Sequence, residues 1–590
     1  MKKWMSILLL VALLITTTGC SPGAASPATV EAPEQEQGMQ ESDAAATGYS
    51  AGSYRATMMG MRGDVTVEVT VDETSILDVS VIEHEDTPGI AELAIETITK
   101  EVVEEQSLGI DVVTGATITS YAILGATERA LTEAGADIAA LKVKKERPPL
   151  SEGATETADV VIVGSGAAGM AAAIEIGRNS DLSVIILEKL AYPGGSSVVN
   201  GGGIWAMGSA FNDMVGMDAT ADEYIAFMEE RSGTTLNREL MRRIHAVSGE
   251  TFDYLMDQGL QINTETLSLA HPDAKLPMAW AKINADYPYN TGFGGKQLMD
   301  TIIGSALENG AELRVNSKVV SLTEENDKIT GVEVEGPDSR YRIEAKKVIL
   351  ATGGFTRNNQ LVEELAPEYL GSIPYTGAGS HGDGILMTRE LDTVIVGEGM
   401  MGLSGYNDNY GYFGPYGSLT RTPQMVVNQE GEQFGVEGLY YSEQLIAYNQ
   451  QTGKVVYGIS DATHSNIQGL EAGVEAGVVK KADTLEALAE QLDVDEAKMI
   501  ETAEINGLTT APFYSINIRP LFIGSIPGLK ITENTEVLNA SGEVIPNLYA
   551  VGELVFGNTF SKWYAASGTG MGVSVYTGTI AGQEAVQSLK

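Results

Sequence analysis

Two stretches hold residues whose type and spacing point to chemistry. In "DVVTGATITS" (111–120), Thr114 and Thr117 bracket Gly115 and Ala116. A turn or a helix N-cap would accept such hydroxyls, and a helix starting at Ser120 fits the pattern. A hydroxyl beside glycine and alanine is also open to a bulky group from outside the fold. In "ADVVIVGSGAAGMAAAIEIG" (158–177), the apolar run Val160–Val163 meets Gly164-x-Gly166-x-x-Gly169 and then small, helix-forming residues. A second apolar run, in "LSVIILEK", ends at Glu188. This is a βαβ dinucleotide fingerprint in its proper context. The glycines allow a tight turn and a close backbone approach to a pyrophosphate at the helix N-terminus, and the acid accepts hydrogen bonds from a ribose diol. Gly164, Gly166, Ala167, Gly169 and Glu188 are the expected contacts.

The rest of the chain must position these groups. A length of 590 residues implies roughly three to five domains. Residues 1–19 read as a signal peptide and 20–47, rich in Pro, Ala, Ser, Gln and Glu, as a disordered tether. "DVTVEVTVDETSILDVSVIE" (64–83) alternates polar and apolar residues, which predicts paired strands turning at Asp72-Glu73. Helical patterns follow over 90–106 and 119–134. A small α+β domain over 48–140 and a linker over 141–156 result. The net charge of −43 excludes nucleic acid as a partner, because phosphates are repelled. The single cysteine, Cys20, excludes an internal disulfide, a cysteine-based metal site and an iron–sulfur cluster, and no metal is expected.

The fingerprint, with "PGGSSVVNGGGI" (193–204), "VILATGGF" (348–355) and "VIPNLYAVGEL" (544–554), resembles the FAD-binding flavoproteins of the fumarate reductase/succinate dehydrogenase superfamily. The likeness runs over about 157–590 and takes in flavocytochrome c, urocanate reductase-like and 3-ketosteroid dehydrogenase-like enzymes. It implies non-covalent FAD held by the fingerprint residues and by Gly195, Ser196, Ser197, Gly202, Gly203, Gly354, Asp383, Glu553, Gly570 and Met571. It also implies a Rossmann-like FAD domain (157–391 and 511–590) interrupted by a mobile cap (392–510). No second fingerprint for NAD(P)H follows.

"HEDTPGI" (84–90) and "DVVTGATITS" resemble the FMN-binding domain of membrane sodium-pump subunits and extracytoplasmic flavoproteins. There a flavin transferase reads Asp-x-x-Ser/Thr-Gly-Ala-Thr. Asp111, Thr114, Gly115, Ala116 and Thr117 match it. The resemblance implies FMN joined to Thr117 through a phosphodiester. The fold class is thus α/β plus α+β: a small α+β FMN-binding domain followed by a Rossmann-like FAD domain with its cap.

Fumarate reductases of this superfamily use a cap arginine a few residues after Phe-x-x-Glu as proton donor, with histidines and a further arginine holding two carboxylates. In "NQEGEQFGVEGLYYSEQL" (428–445) the donor position, counted from Phe434, holds Tyr441. "EGMMGLSGYNDNYGYFGPYG" (398–417) has no histidine, the second histidine position falls on Gly524, and "FSKWYAASGTGMGVS" (560–574) has no arginine. Tyrosine at these places resembles the 3-ketosteroid dehydrogenases, whose Tyr-x-x-x-Gly motif matches Tyr564 to Gly568. That likeness implies Tyr441 as acid, with the Tyr564 hydroxyl and the Gly568 N–H as an oxyanion hole for an enolate. A phenol with an ordinary pKa of about 10 suits such a proton transfer. With 23 tyrosines in the chain, Tyr412, Tyr416 and Tyr440 near the same segment also read as cap packing. Tyr287 and Tyr289 are weaker candidates for an assisting tyrosine. His271 and Arg421 read as substrate contacts or, more simply, as surface or structural residues.

The resulting expectation is an ene reductase acting on CH–CH bonds. Electrons pass from FMN to FAD and then as hydride to a small-molecule unsaturated acceptor, an enone such as a 3-ketosteroid, in anaerobic respiration. An enoate reductase of urocanate or cinnamate type, a dehydrogenase running oxidatively, and a non-catalytic electron-transfer lipoprotein are the rivals; an arginine facing the flavin would favour the enoate. "MKKWMSILLLVALLITTTGC" resembles a bacterial lipoprotein signal, with Thr17 where leucine is usual. It implies lipidation at Cys20, a location on the outer face of the cell membrane, membrane contact through the lipid alone, and an electron donor in or outside that membrane.

Overall fold

The first folded unit is built on alternation. Strands β1 (Gly52–Met59), β2 (Asp64–Val71) and β3 (Ile76–His84) form an antiparallel sheet in that order. Val65, Val67, Val69 and Val71 of β2 all face inward. The Asp72 carboxylate closes the β2–β3 turn by accepting from the backbone N–H groups of Thr74 (2.8 Å) and Ser75 (2.7 Å). Helices α1 (Ala91–Glu105) and α2 (Thr117–Glu133) cover the apolar face, burying Ile98 and Ile123. The computed structural model describes residues 48–590 apart from 61–62, 85, 87–90, 114–115, 145–148, 235, 264–267, 270–276, 282–293, 406–415, 437–438 and 440, and apart from the side chains of 117, 268, 269, 278, 280 and 441. The signal, the tether and Cys20 lie outside these residues.

The second unit rests on a mixed sheet, parallel at its centre and antiparallel from Ser339–Leu350 outward. β4 (Glu156–Val163) enters α3 (Ala167–Asn179) and returns as β5 (Val184–Leu187), which pairs parallel with β4. Helices α4 (Ala221–Ser232) and α5 (Gly294–Glu308) follow. The sheet continues with β6 (Glu312–Arg314), β7 (Lys318–Glu325), β8 (Lys328–Glu335) and β9 (Ser339–Leu350), in the order β6-β5-β4-β9-β8-β7. The expected linker is partly structured, because Ser151–Glu152 pairs with Ser339 and Arg340 of β9.

The cap sheet comprises β10 (Met400–Gly405), β11 (Met425–Val427), β12 (Val456–Ser460), β13 (Val479–Ala482) and the long β14 (Phe513–Ser525), with helix α6 (Tyr441–Asn449) packed on β10. The strand β14 begins just past the cap boundary expected at 510. β14 pairs with β12 and β13 through its first half and with β10 through its second, so cap pairing runs to Ser525. A strand buried by neighbours on both sides carries no compositional mark of where one domain yields to the next. β15 (Val544–Ala550) pairs parallel with β9, and α7 (Thr569–Leu589) lies against α3. Among the described residues no helix is long and apolar enough to cross a membrane.

The two units meet at the loop after β5. Ala191 packs on the core of the first unit, while its neighbours Lys189 and Leu190 line a cavity in the second. Burial lowers the Lys296 ammonium of α5 from its usual value, and the charge of Glu92 in α1 opposes that shift.

Candidate active site

A cavity of ≈ 790 Å³ runs from the β4–α3 turn to the cap. Gly164, at φ +107°, starts it, and a Cβ there would stand 2.3 Å from the Ala351 carbonyl oxygen. Gly166 caps α3 in an extended conformation, so Ala167 and Ala168 present the helix end to the cavity. Glu188 accepts from the Ser165 N–H (3.1 Å), the Ser165 hydroxyl (2.5 Å) and the Leu190 N–H (2.9 Å). A carboxylate has about four lone-pair sites, which leaves capacity for a diol. Ser197 accepts from the Ala167 N–H (3.3 Å), and Ser196 from the Gly377 N–H (3.1 Å). Gly195, Gly203, Gly570 and Met571 also line the cavity, as does Asp383, which is ion-paired with Lys189. Glu553 accepts from the Ser525 N–H (2.7 Å) and hydroxyl (2.9 Å), and burial raises its carboxyl above the ordinary range.

Three expected contacts lie elsewhere. Gly169, Gly202 and Gly354 are off the cavity wall, and close packing explains each. An added Cβ would meet the Gly164 carbonyl at 2.2 Å, the Gly294 carbonyl carbon at 2.4 Å and Glu553 Oε1 at 1.9 Å, respectively. The cavity still fits a dinucleotide flavin. It offers a free-standing helix end, a buried acid beside it, glycines whose side chains would fill it, and Thr352, whose buried hydroxyl has no partner among the described residues.

Tyr564 and Gly568 both line the cavity. Gly568 is the N-cap of α7, at φ +79°. The Tyr564 oxygen accepts from the Gly570 N–H (3.5 Å), and burial raises its phenol while the Thr569 hydroxyl and the Gly570 and Gly568 N–H groups oppose the shift. Tyr441 opens α6, and Gln444, in the same turn, lines the cavity along with Leu439. Its side chain lies outside the description, as do Tyr440, Tyr412, His271, Tyr287 and Tyr289. Tyr416 packs on a small cap cluster around Leu419 and Tyr514, which agrees with a packing role. At Gly524, the missing-histidine position, a Cβ would stand 2.9 Å from Met401 Sδ, so a side chain there would have to displace the methionine.

Two arginines line the same cavity. Arg421, weighed above as structural, is one. Arg231, in the last turn of α4, is the other, and its Nε–H donates to the Ala565 carbonyl at 3.2 Å. Nothing in the sequence pattern could join Arg231 to a segment more than three hundred residues later.

In the first unit, α2 begins at Thr117 rather than Ser120. Ala116 is its N-cap and gives no side-chain hydrogen bond. The Ser120 hydroxyl instead accepts from the Val113 N–H and donates to the Ala116 carbonyl. Asp111 is paired with Lys144 at 2.5 Å. Thr119 donates to the buried Asp86 at 2.7 Å. Thr114 and Gly115 lie outside the described residues. An uncapped helix end beside small residues suits an FMN phosphate.

Residues 159–571 match the FAD binding domain family, and residues 60–132 match the FMN-binding domain. The chain belongs to the FAD binding domain family. It is a two-flavin protein, with FAD in the large unit and FMN in the small one. Urocanate reductase of Eggerthella lenta is 26% identical over 597 residues and covers 91% of each chain. NADH:acrylate oxidoreductase of Vibrio harveyi is 26% identical over 599 residues, covering 86% of this chain, which spans 59% of the Vibrio protein's length. Relatives of the family are flavin-dependent oxidoreductases acting on C=C bonds. A flavocytochrome c3 fumarate reductase solved in an open conformation shares the fold, with a TM-score of 0.63, 22% identity, and coverage of 73% of this chain and 78% of that one.

Gly164→Ala tests the family's cofactor turn. The new Cβ meets a carbonyl at an unfavourable φ, so FAD content after gel filtration should fall at least about tenfold, the equivalent of roughly 1.4 kcal/mol, which lies within the usual range for backbone strain. Covalent FMN should persist. A variant with full FAD occupancy would show that this approach is not required.

Proposed function

We propose that the protein reduces the activated C=C bond of a small α,β-unsaturated carboxylate. The observation that carries this reading is the pair Arg231 and Arg421 in the cavity that also holds Tyr564 and Gly568. Guanidinium groups match a carboxylate in charge and geometry. A chain of net charge −43 repels anions overall, so an anionic substrate needs a local positive lining. The enone keeps one supporting feature, the adjacency of Tyr564 and Gly568; to use it, the phenol must leave the end of α7.

When bound, FAD supplies the hydride and FMN, joined to Thr117, passes electrons to it. The chain's own residues do the rest. Arg231 and Arg421 hold the carboxylate end. Tyr441, in the turn that brings Gln444 to the cavity, donates the proton to the α-carbon. Leu403, Ile523 and Phe556 exclude water, which strengthens each of these charge interactions. Exported location and lipidation at Cys20 are supported by Lys2 and Lys3, the apolar run after them and the position of the sole cysteine.

Four outcomes test this reading. The flavinylated protein, reduced and then mixed with enoates, enones and fumarate, should be reoxidised fastest by an enoate. Arg231→Leu should raise the enoate KM at least about tenfold, consistent with roughly 1.5–3 kcal/mol for a hydrogen bond to a charged group, and leave any enone rate unchanged; an unaltered KM would remove Arg231 from the substrate. Tyr441→Phe should slow reoxidation by substrate by about a hundredfold to ten-thousandfold while electron uptake stays normal, and a rate equal to the parent's would place the acid elsewhere. Cys20→Ala should move the protein from the membrane to the soluble fraction, and a variant that stays with the membrane would refute the lipid anchor.

A further inference from the structure

Among the described residues, the cap lines the cavity with Met401, Leu403, Arg421, Leu439, Gln444 and Ile523. All but Arg421 and Gln444 are apolar, so Gln444 is the neutral polar side chain on this wall. It is half-buried, in the first turn of α6. One end of its amide is held. The Nε2–H donates to the Leu439 carbonyl at 3.1 Å. A carbonyl can only accept, so this bond fixes which end of the amide is nitrogen and which is oxygen. The Oε1 atom is the other end, and it accepts from no group among the described residues. Water can satisfy such an oxygen while the cavity is open. A substrate that fills the cap end displaces that water. If it brings no donor, the acceptor is left desolvated and unpaired; if it brings an O–H or N–H, the bond is remade. A site holding a polar group of this kind discriminates through the cost of leaving that group bare.

We propose that Gln444 is a specificity residue, which reads a hydrogen-bond donor, a hydroxyl or an N–H group, on the part of the substrate away from its carboxylate. This rests on the reading that the substrate is an enoate held by Arg231 and Arg421. The two kinds of contact have opposite sense. A guanidinium carries donors only, so it takes the carboxylate and not a donor group. The Gln444 oxygen carries lone pairs only, so it takes the donor and not the carboxylate. Leu403, Leu439 and Ile523 compete for neither. The substrate class is thus narrowed from any enoate to one that bears a donor beyond its C=C bond.

Matched enoates test the role of Gln444. The reduced, flavinylated full chain is mixed with but-2-enoates bearing a terminal hydroxyl, methoxy or methyl group, and with phenylacrylates bearing the same groups on the ring. In at least one series the hydroxyl compound should exceed both counterparts in kcat/KM about three- to tenfold, the range for one neutral hydrogen bond. Methoxy accepts but cannot donate, so a methoxy compound equal to the hydroxyl one would overturn the proposal and assign the contact to the amide N–H. Gln444→Leu should bring the hydroxyl-to-methyl ratio close to one. Gln444→Glu keeps an acceptor and should preserve that ratio, although both rates fall as its charge opposes the carboxylate. Should Gln444→Leu lose FAD, the parent's own series and Gln444→Glu carry the test. No hydroxyl preference in either series of the parent, or a preference that survives Gln444→Leu, would overturn the proposal. Faster reoxidation by an enone than by any of these enoates would instead overturn the carboxylate reading, and the role of Gln444 with it.

Discussion

Backbone-on-backbone contact around α3 is the constraint on which the rest depends. A Cβ at Gly169 would strike the Gly164 carbonyl at 2.2 Å, one at Gly164 the Ala351 carbonyl at 2.3 Å, and one at Gly578 the Ala168 carbonyl at 2.1 Å. The turn, the end of β9 and helix α7 can therefore close on α3 only because glycine stands at each crossing. That closeness brings the C-terminal ends of β4, β5 and β9 to one edge, where ligands bind in such sheets. It also places the N-terminus of α7 over the far end of the same cavity. Cofactor turn and catalytic end are thus held in one rigid frame, although they lie about four hundred residues apart.

Local features of this frame were legible in the sequence. Alternation in β2 and the Asp72 turn follow from side-chain period and turn chemistry, which act over a few residues. The fingerprint and Glu188 were legible for the same reason. What was not legible depends on contacts between distant segments. Arg231 reaches residues 564–568 only through the packing of α4. Gly169, Gly202 and Gly354 carry the same composition signal whether a glycine faces a ligand or another backbone, and only the folded neighbours tell the two apart. Tyr564 and Gly568 fit their motif in type and spacing. Spacing cannot show that a helix end will claim the phenol for itself.

Charge is distributed unevenly between surface and site. The chain as a whole is strongly acidic, yet Lys189, Arg231 and Arg421 all line the cavity. Lys189 is ion-paired with Asp383, and Glu188 and Glu553 line the cavity as well.

β14 is shared property. Its first half is bound into the cap sheet, and its last residue, Ser525, donates two hydrogen bonds to Glu553 at the cavity wall. A carboxyl in the cavity wall thus takes two of its donors from the strand that holds the cap sheet together, so whatever shifts β14 is felt first at Glu553.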